Sequence, residues 1–185
     1  MIELTKEQIN FAIVQVEDGL KKYIALQEML QVVDVSSDRQ FQKQFNHFYR
    51  VRRNAEWQSH FYELLQKNKK IGVSFHDAIT AIYEKTGRLE ASFASKLVAT
   101  IHPDRPVIDK FVLENAKLKL PSPSSKDREG KIVLVYNQLR DKFATFMKTE
   151  SGEYLVKEFG TKFPQAAITK IKMVDLVLWQ TRGVA

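Results

Sequence analysis

Cysteine is absent from the 185-residue sequence, and it contains only seven glycines and five prolines. Without thiols the chain forms no disulfide framework, no cysteine nucleophile and no thiolate-bound zinc or iron–sulfur site. The glycines are scattered and make neither a P-loop nor a Rossmann phosphate-binding loop. We therefore expect no nucleotide cofactor, and no other cofactor is indicated by the sequence.

Metal-binding and membrane-spanning patterns are also missing. The four histidines lie on separate segments and include no pair at i, i+4 and no His-Glu-x-x-His motif, so we expect no metal site. No apolar run approaches the ~20 residues that span a bilayer. The segment Met1–Lys6 contains an acidic residue and no apolar signal core. These patterns predict a cytoplasmic protein without a membrane partner.

Basic residues are in excess, and they concentrate in the middle of the chain. The formal net charge is +7. Residues 39–131 hold 18 lysines and arginines against 10 acidic residues, whereas the remaining residues hold 11 against 12. Such a bias is typical of a surface that attracts a polyanion, and it is equally compatible with a solvated basic surface that has no partner.

Helical periodicity runs through the whole sequence. Thr5 and Gln8 form a capping-box pattern ahead of a long apolar stripe that continues to about Leu30. Apolar residues from Ile132 to Phe146 recur at alternating spacings of four and three. We find no strand alternation, no internal repeat and no linker long enough to separate domains. The sequence predicts one all-α domain, residues 1–185, of about eight or nine helices.

One stretch combines structural signals with a candidate reactive group. The apolar pattern predicts a helix from about Glu90 to Ile101, followed by a loop that ends at Pro106. Pro106 suits the first turn of a new helix, which we expect to end near Leu120. Asp109 would lie in that first turn, where the helix dipole stabilises the ionised carboxylate.

Two further sets of polar residues have open interpretations. Arg50, Arg52 and Arg53 lie beside the aromatic residues Tyr49 and Trp57, a composition that suits phosphate and base contacts. Cations also favour a helix C-terminus for purely structural reasons, and aromatics at such spacing often belong to a core.

Lys96, on the helix that precedes the loop, is the second case. It can contact a phosphate, or it can pair with Asp109 and simply hold the two helices together.

The segment Pro106-Val-Ile-Asp109-Lys-Phe-Val112 resembles the one that follows the hairpin in helix-hairpin-helix base-excision DNA glycosylases. The resemblance implies a glycosylase-like helical fold, a DNA partner, a role in DNA repair, and Asp109 as the catalytic carboxylate. The chain also resembles small bacterial proteins that share the sequences of residues 48–53 and 90–96. The family's hairpin turn has a glycine–x–glycine pattern, whereas this chain has Gly87 alone.

Members of that family with lyase activity carry a Schiff-base lysine, and the matching place here falls near Glu90 or Ala91. The resemblance therefore implies a monofunctional N-glycosylase that acts on a flipped base. A non-catalytic nucleic-acid-binding domain and a protein-interaction domain remain as alternatives. The candidate residues are Asp109 for catalysis, Arg50, Arg52, Arg53, Lys96 and Arg105 for phosphate contacts, and Tyr49 or Trp57 for the base pocket.

Overall fold

The computed structural model describes residues 1–181, and within that range every regular element is a helix. The predicted all-α fold is confirmed. The described residues form ten helices: α1 Lys6–Gln15, α2 Glu17–Val32, α3 Arg39–Tyr49, α4 Ala55–Asn68, α5 Phe75–Thr86, α6 Ala91–Ile101, α7 Lys110–Asn115, α8 Arg128–Phe146, α9 Glu150–Lys162 and α10 Lys170–Gln180. None of them has the length and apolar character needed to cross a bilayer.

The helices group into two compact units. The middle unit comprises Asp18–His102, and the terminal unit comprises Met1–Glu17 together with the chain from Pro103 onward. Each unit contains its own set of buried apolar side chains. The expectation of a single domain over residues 1–185 stays a prediction.

An aromatic cluster forms the centre of the middle unit. Phe45 lies 5.4 Å from Phe61 and 5.7 Å from Tyr62, measured between ring centroids. Trp57 stacks on Phe61 at 5.3 Å, and Phe93 of α6 lies 4.6 Å from Trp57. These contacts join α3 and α4, whose aromatic residues share one helical face, to the single aromatic residue of α6.

The terminal unit is organised around α10. This helix packs against α1, α7 and α9, and it is buried over most of its circumference, with Val174, Val177 and Leu178 fully enclosed. The chain comes unusually close to itself where α9 begins. A Cβ atom added to Gly152 would lie 2.0 Å from the backbone oxygen of Phe146, so only glycine fits there.

The structure corrects two predicted helices and one cap. The expected long first helix is divided, because α1 ends at Gln15 and α2 begins at Glu17. The helix that follows Pro106 is also shorter than predicted and ends at Asn115, not near Leu120. Asp109 is not in its first turn but is its N-cap, since its side chain accepts the backbone N–H of Phe111.

Candidate functional site

A basic cavity lies in the middle unit, between the start of α4 and the turn that joins α5 to α6. This basic cavity has a volume of about 400 Å³. The lining residues come from the α3–α4 linker, the first two turns of α4, and the α5–α6 turn: Arg52, Arg53, Asn54, Glu56, Trp57, His60, Lys85, Thr86 and Arg88.

The α3–α4 linker reaches the cavity because the two helix ends that flank it are strongly specified. Arg50 adopts a left-handed conformation, φ 53°, and its N–H donates to the carbonyl of Asn46, which ends α3. Asn54 begins α4, since its side chain accepts the backbone N–H of Trp57 at 3.0 Å. The cap places the positive end of the α4 dipole at the wall of the cavity.

A buried lysine and a half-buried glutamine hold this linker at its two ends. Lys96 donates to the carbonyl of Tyr49 at 3.1 Å, and its Nζ lies 4.8 Å from the centre of the Phe93 ring. Gln58 donates to the carbonyl of Arg53 and accepts from Asn46 at 2.7 Å. The backbone of the linker is therefore fixed before any ligand arrives, so it has little conformational freedom to lose on binding.

The hydroxyl of Tyr62 completes this network. It donates to the side-chain oxygen of Asn46 at 2.7 Å, and burial raises the pKa of Tyr62 well above its ordinary value. The hydroxyl consequently stays protonated and remains a hydrogen-bond donor at neutral pH.

Arg53 is held in one orientation by an ion pair and two aromatic rings. Its Nη2 donates to both carboxylate oxygens of Glu90, at 2.7 and 3.0 Å. The guanidinium carbon lies 5.9 Å from the ring of Trp57 and 5.3 Å from that of Phe93. A guanidinium between aromatic faces gains cation–π attraction, and it presents its remaining N–H groups in a fixed plane.

Three other cations at the cavity are not neutralised. Within residues 1–181 the side chains of Arg52, Lys85 and Arg88 make no ion pair or hydrogen bond, and all three are exposed. Glu56 is the one acidic residue of the lining. Counting Glu56 and the Glu90 that pairs with Arg53, four cations stand against two carboxylates, and this positive excess on a concave surface attracts anions.

The structure brings some of the predicted nucleic-acid residues together and separates others from them. Arg52, Arg53 and Trp57 line the basic cavity. Arg50 is exposed but is not part of its lining, and Tyr49 is 3% exposed in the aromatic core, 4.7 Å from Phe45.

The predicted role of Lys96, a phosphate contact, requires a position at the surface, but the side chain is buried. It is 7% exposed, with its ammonium group on the carbonyl of Tyr49, so in this conformation it does not reach a phosphate at the surface. Its observed role is to hold the end of α3 beside the linker.

Asp109 and Arg105 belong to the terminal unit. Asp109 is partly exposed, and no lysine or arginine among residues 1–181 forms an ion pair with it, so the predicted alternative of a Lys96 salt bridge is not observed. Arg105 lies 3.8 Å from the carboxylate of Asp104. Neither residue lines the basic cavity.

A buried ion pair lies near Asp109. Lys172 and Asp175 of α10 are 1% and 2% exposed and are joined at 2.7 Å. Burial raises the pKa of Asp175, the charge of Asp109 adds to that rise, and Lys172 and the backbone N–H of Val107 oppose it.

Two cations of the cavity, Lys85 and Arg88, were not predicted as site residues. They lie on either side of Gly87, whose φ of 66° ends α5 and turns the chain toward α6. The glycine signals the turn in the sequence, but the pattern does not indicate that the turn faces the start of α4. That neighbourhood depends on tertiary packing between α4, α5 and α6.

Within residues 1–181, no three histidine or acidic side chains converge in a way that would hold a metal ion. We compared the chain with protein-family models, with curated proteins and with solved structures, and none of the three comparisons found a match.

Proposed function

We propose that this protein binds nucleic acid through the basic cavity of the middle unit. The observation that carries the proposal is the convergence of Arg52, Arg53, Lys85 and Arg88 on one concave surface with an indole in its wall. Scattered surface cations would attract polyanions without any shared geometry. Here three exposed cations flank one guanidinium that is already fixed by Glu90.

The composition of the cavity favours a nucleic acid over other polyanions. Arginine binds phosphate oxygens through two parallel N–H groups, and it also stacks on planar rings. The buried ring of Trp57 lies beneath the Arg53 guanidinium and helps to hold it at the cavity wall. Nucleic acids present phosphates and flat bases at short, regular separations, and proteins that bind single strands combine cationic grooves with aromatic side chains in this way.

Binding of short fluorescent oligonucleotides, single-stranded and duplex, tests the proposal. We expect the double variant Arg52→Gln/Arg88→Gln to bind more weakly than the wild type. An exposed charge-assisted contact contributes on the order of 1 kcal/mol, so losing two weakens binding by about 30-fold. Fluorescence anisotropy at low salt measures the dissociation constants.

The matched control is Arg39→Gln/Lys43→Gln. These two cations are exposed on α3 of the same unit, outside the cavity lining, and their removal changes the net charge equally. We expect this control to bind within about threefold of the wild type, since only diffuse attraction is lost. Equal weakening of the two double variants would contradict a specific role for the cavity.

A second candidate function is N-glycosidic bond cleavage with Asp109 as the catalytic carboxylate. The observation in its favour is that Asp109 is partly exposed and forms no ion pair within residues 1–181. A free carboxylate can stabilise the cationic sugar that develops as a base departs, or it can orient the attacking water. Its capping bond to Phe111 occupies one oxygen, Oδ1.

Incubation with duplexes that carry damaged or mismatched bases, followed by alkaline strand cleavage, tests this second candidate. Asp109→Asn is the informative variant, because asparagine caps a helix about as well as aspartate does, so the fold is preserved. Base release by the wild type and none by the variant would support catalysis. Absence of release by the wild type from every duplex would contradict it.

A further inference from the structure

We infer that the basic cavity takes the end of a nucleic-acid strand and that it recognises a terminal phosphomonoester. This inference rests on the proposed function and names the part of the nucleic acid that enters the cavity.

The size of the cavity suits a single nucleotide. Its volume of about 400 Å³ is within the range of roughly 300–1,000 Å³ that is typical of small-molecule sites. An internal phosphodiester is bonded to a sugar on each side. The strand must then leave the cavity in two directions, which a concave site of this size accommodates poorly. A terminal phosphate carries one sugar and leaves by a single path.

The charge of the cavity matches a monoester better than a diester. The lining holds four cations and one acid, Glu56, while Glu90 lies behind the wall and neutralises Arg53. Counting both carboxylates, two positive charges remain in excess. A phosphodiester offers one negative charge, whereas a phosphomonoester carries about −1.5 to −2 near neutral pH.

The wall also contains polar hydrogens without acceptors. Nε of Arg53 and Nε1 of Trp57 are shielded from solvent, and neither has a hydrogen-bond partner among residues 1–181. Trp57 itself is 7% exposed. Buried donors without acceptors are uncommon in folded proteins. A small shift of either side chain on binding would bring its N–H to one of the three strongly accepting oxygens of a phosphomonoester.

The test compares one single-stranded sequence in three forms: with a 5′-phosphate, with a 3′-phosphate, and with hydroxyls at both ends. A fluorophore attached to an internal base reports binding without altering the ends. We expect at least one phosphorylated form to bind about tenfold more tightly than the hydroxyl form, the effect of one additional charge-assisted hydrogen bond. Inorganic phosphate should compete with that form at millimolar concentration.

Variants connect the preference to the cavity. Arg88→Gln should reduce the preference for the phosphorylated end to about threefold or less, because Arg88 lines the cavity. Arg39→Gln is the matched control, because Arg39 is an exposed cation of the same unit outside the cavity lining, and it should leave the preference unchanged. Equal binding of all three oligonucleotides would overturn the inference while leaving the proposed function intact. Failure to bind any oligonucleotide would overturn both.

Discussion

The buried pair of Lys172 and Asp175 makes a quantitative prediction about the stability of the terminal unit. The two side chains are 1% and 2% exposed, and Nζ of the lysine lies 2.7 Å from Oδ2 of the aspartate. Removing one partner takes the nearest opposite charge from a side chain that stays buried. We therefore expect Asp175→Leu and Lys172→Met each to lower the free energy of unfolding by about 3–5 kcal/mol.

Removing both charges together should be far less harmful. Methionine approximates the volume of lysine, and leucine keeps the branched shape of aspartate with somewhat larger terminal groups. Oδ1 of Asp175 already lacks a hydrogen-bond partner within residues 1–181. The free energy of unfolding of the double variant should therefore lie within about 2 kcal/mol of the wild-type value. Adding the losses of the two single variants would instead predict a decrease of roughly 6–10 kcal/mol.

Urea denaturation followed by circular dichroism measures all four proteins. The midpoint and slope of each transition give the free energy of unfolding and show whether the compactness of the chain has changed. Two results would refute the reasoning: single variants that are as stable as the wild type, or a double variant whose loss equals the sum of the single losses. Either one would mean that the two charges do not depend on each other.

Three further predictions concern other residues, each measured by urea denaturation. Gly152→Ala should lower the free energy of unfolding by about 3 kcal/mol or more, because the added Cβ would lie 2.0 Å from a backbone oxygen. Gly160→Ala in the same helix meets no atom within 4 Å and should raise it by about 0.5 kcal/mol; equal effects of the two substitutions would contradict this. Asp109→Ala should cost about 1 kcal/mol through the lost cap of α7, and Asp109→Asn less than 0.5 kcal/mol on the same scale; an equal loss in both would show that the cap is not the cause. Lys96→Met should cost about 1–3 kcal/mol because the carbonyl of Tyr49 loses its donor; an unchanged midpoint would contradict the anchoring role.

The boundaries of the helices were predictable where a local chemical signal marks them. The capping box of Thr5 and Gln8 begins α1 as the sequence predicts. Asp38, Asn54 and Ser74 cap the starts of α3, α4 and α5 through bonds of the same kind. Such signals act over three or four residues and need no tertiary contact. The break between α1 and α2 was missed, since no proline or glycine stands at Val16, which caps the end of α1.

The site was predictable only in part, because residue type does not reveal which way a side chain points. Arg52, Arg53 and Trp57 share one cavity, as their proximity in sequence suggested. Lys96 and Tyr49 satisfy the same compositional argument, yet both are buried. An amphiphilic lysine or tyrosine can face the core or the surface, and packing against neighbouring helices decides between them.

The salt dependence of nucleic-acid binding reports how many phosphates the basic cavity neutralises. Each phosphate that a protein neutralises on a single strand contributes about 0.7 to the slope of log K against log salt concentration. If the basic cavity holds phosphates, Arg52→Gln/Arg88→Gln should lower that slope by about 1.4, for two contacts, and Arg39→Gln/Lys43→Gln should leave it unchanged. Equal slopes for the wild type and the cavity variant would contradict the account.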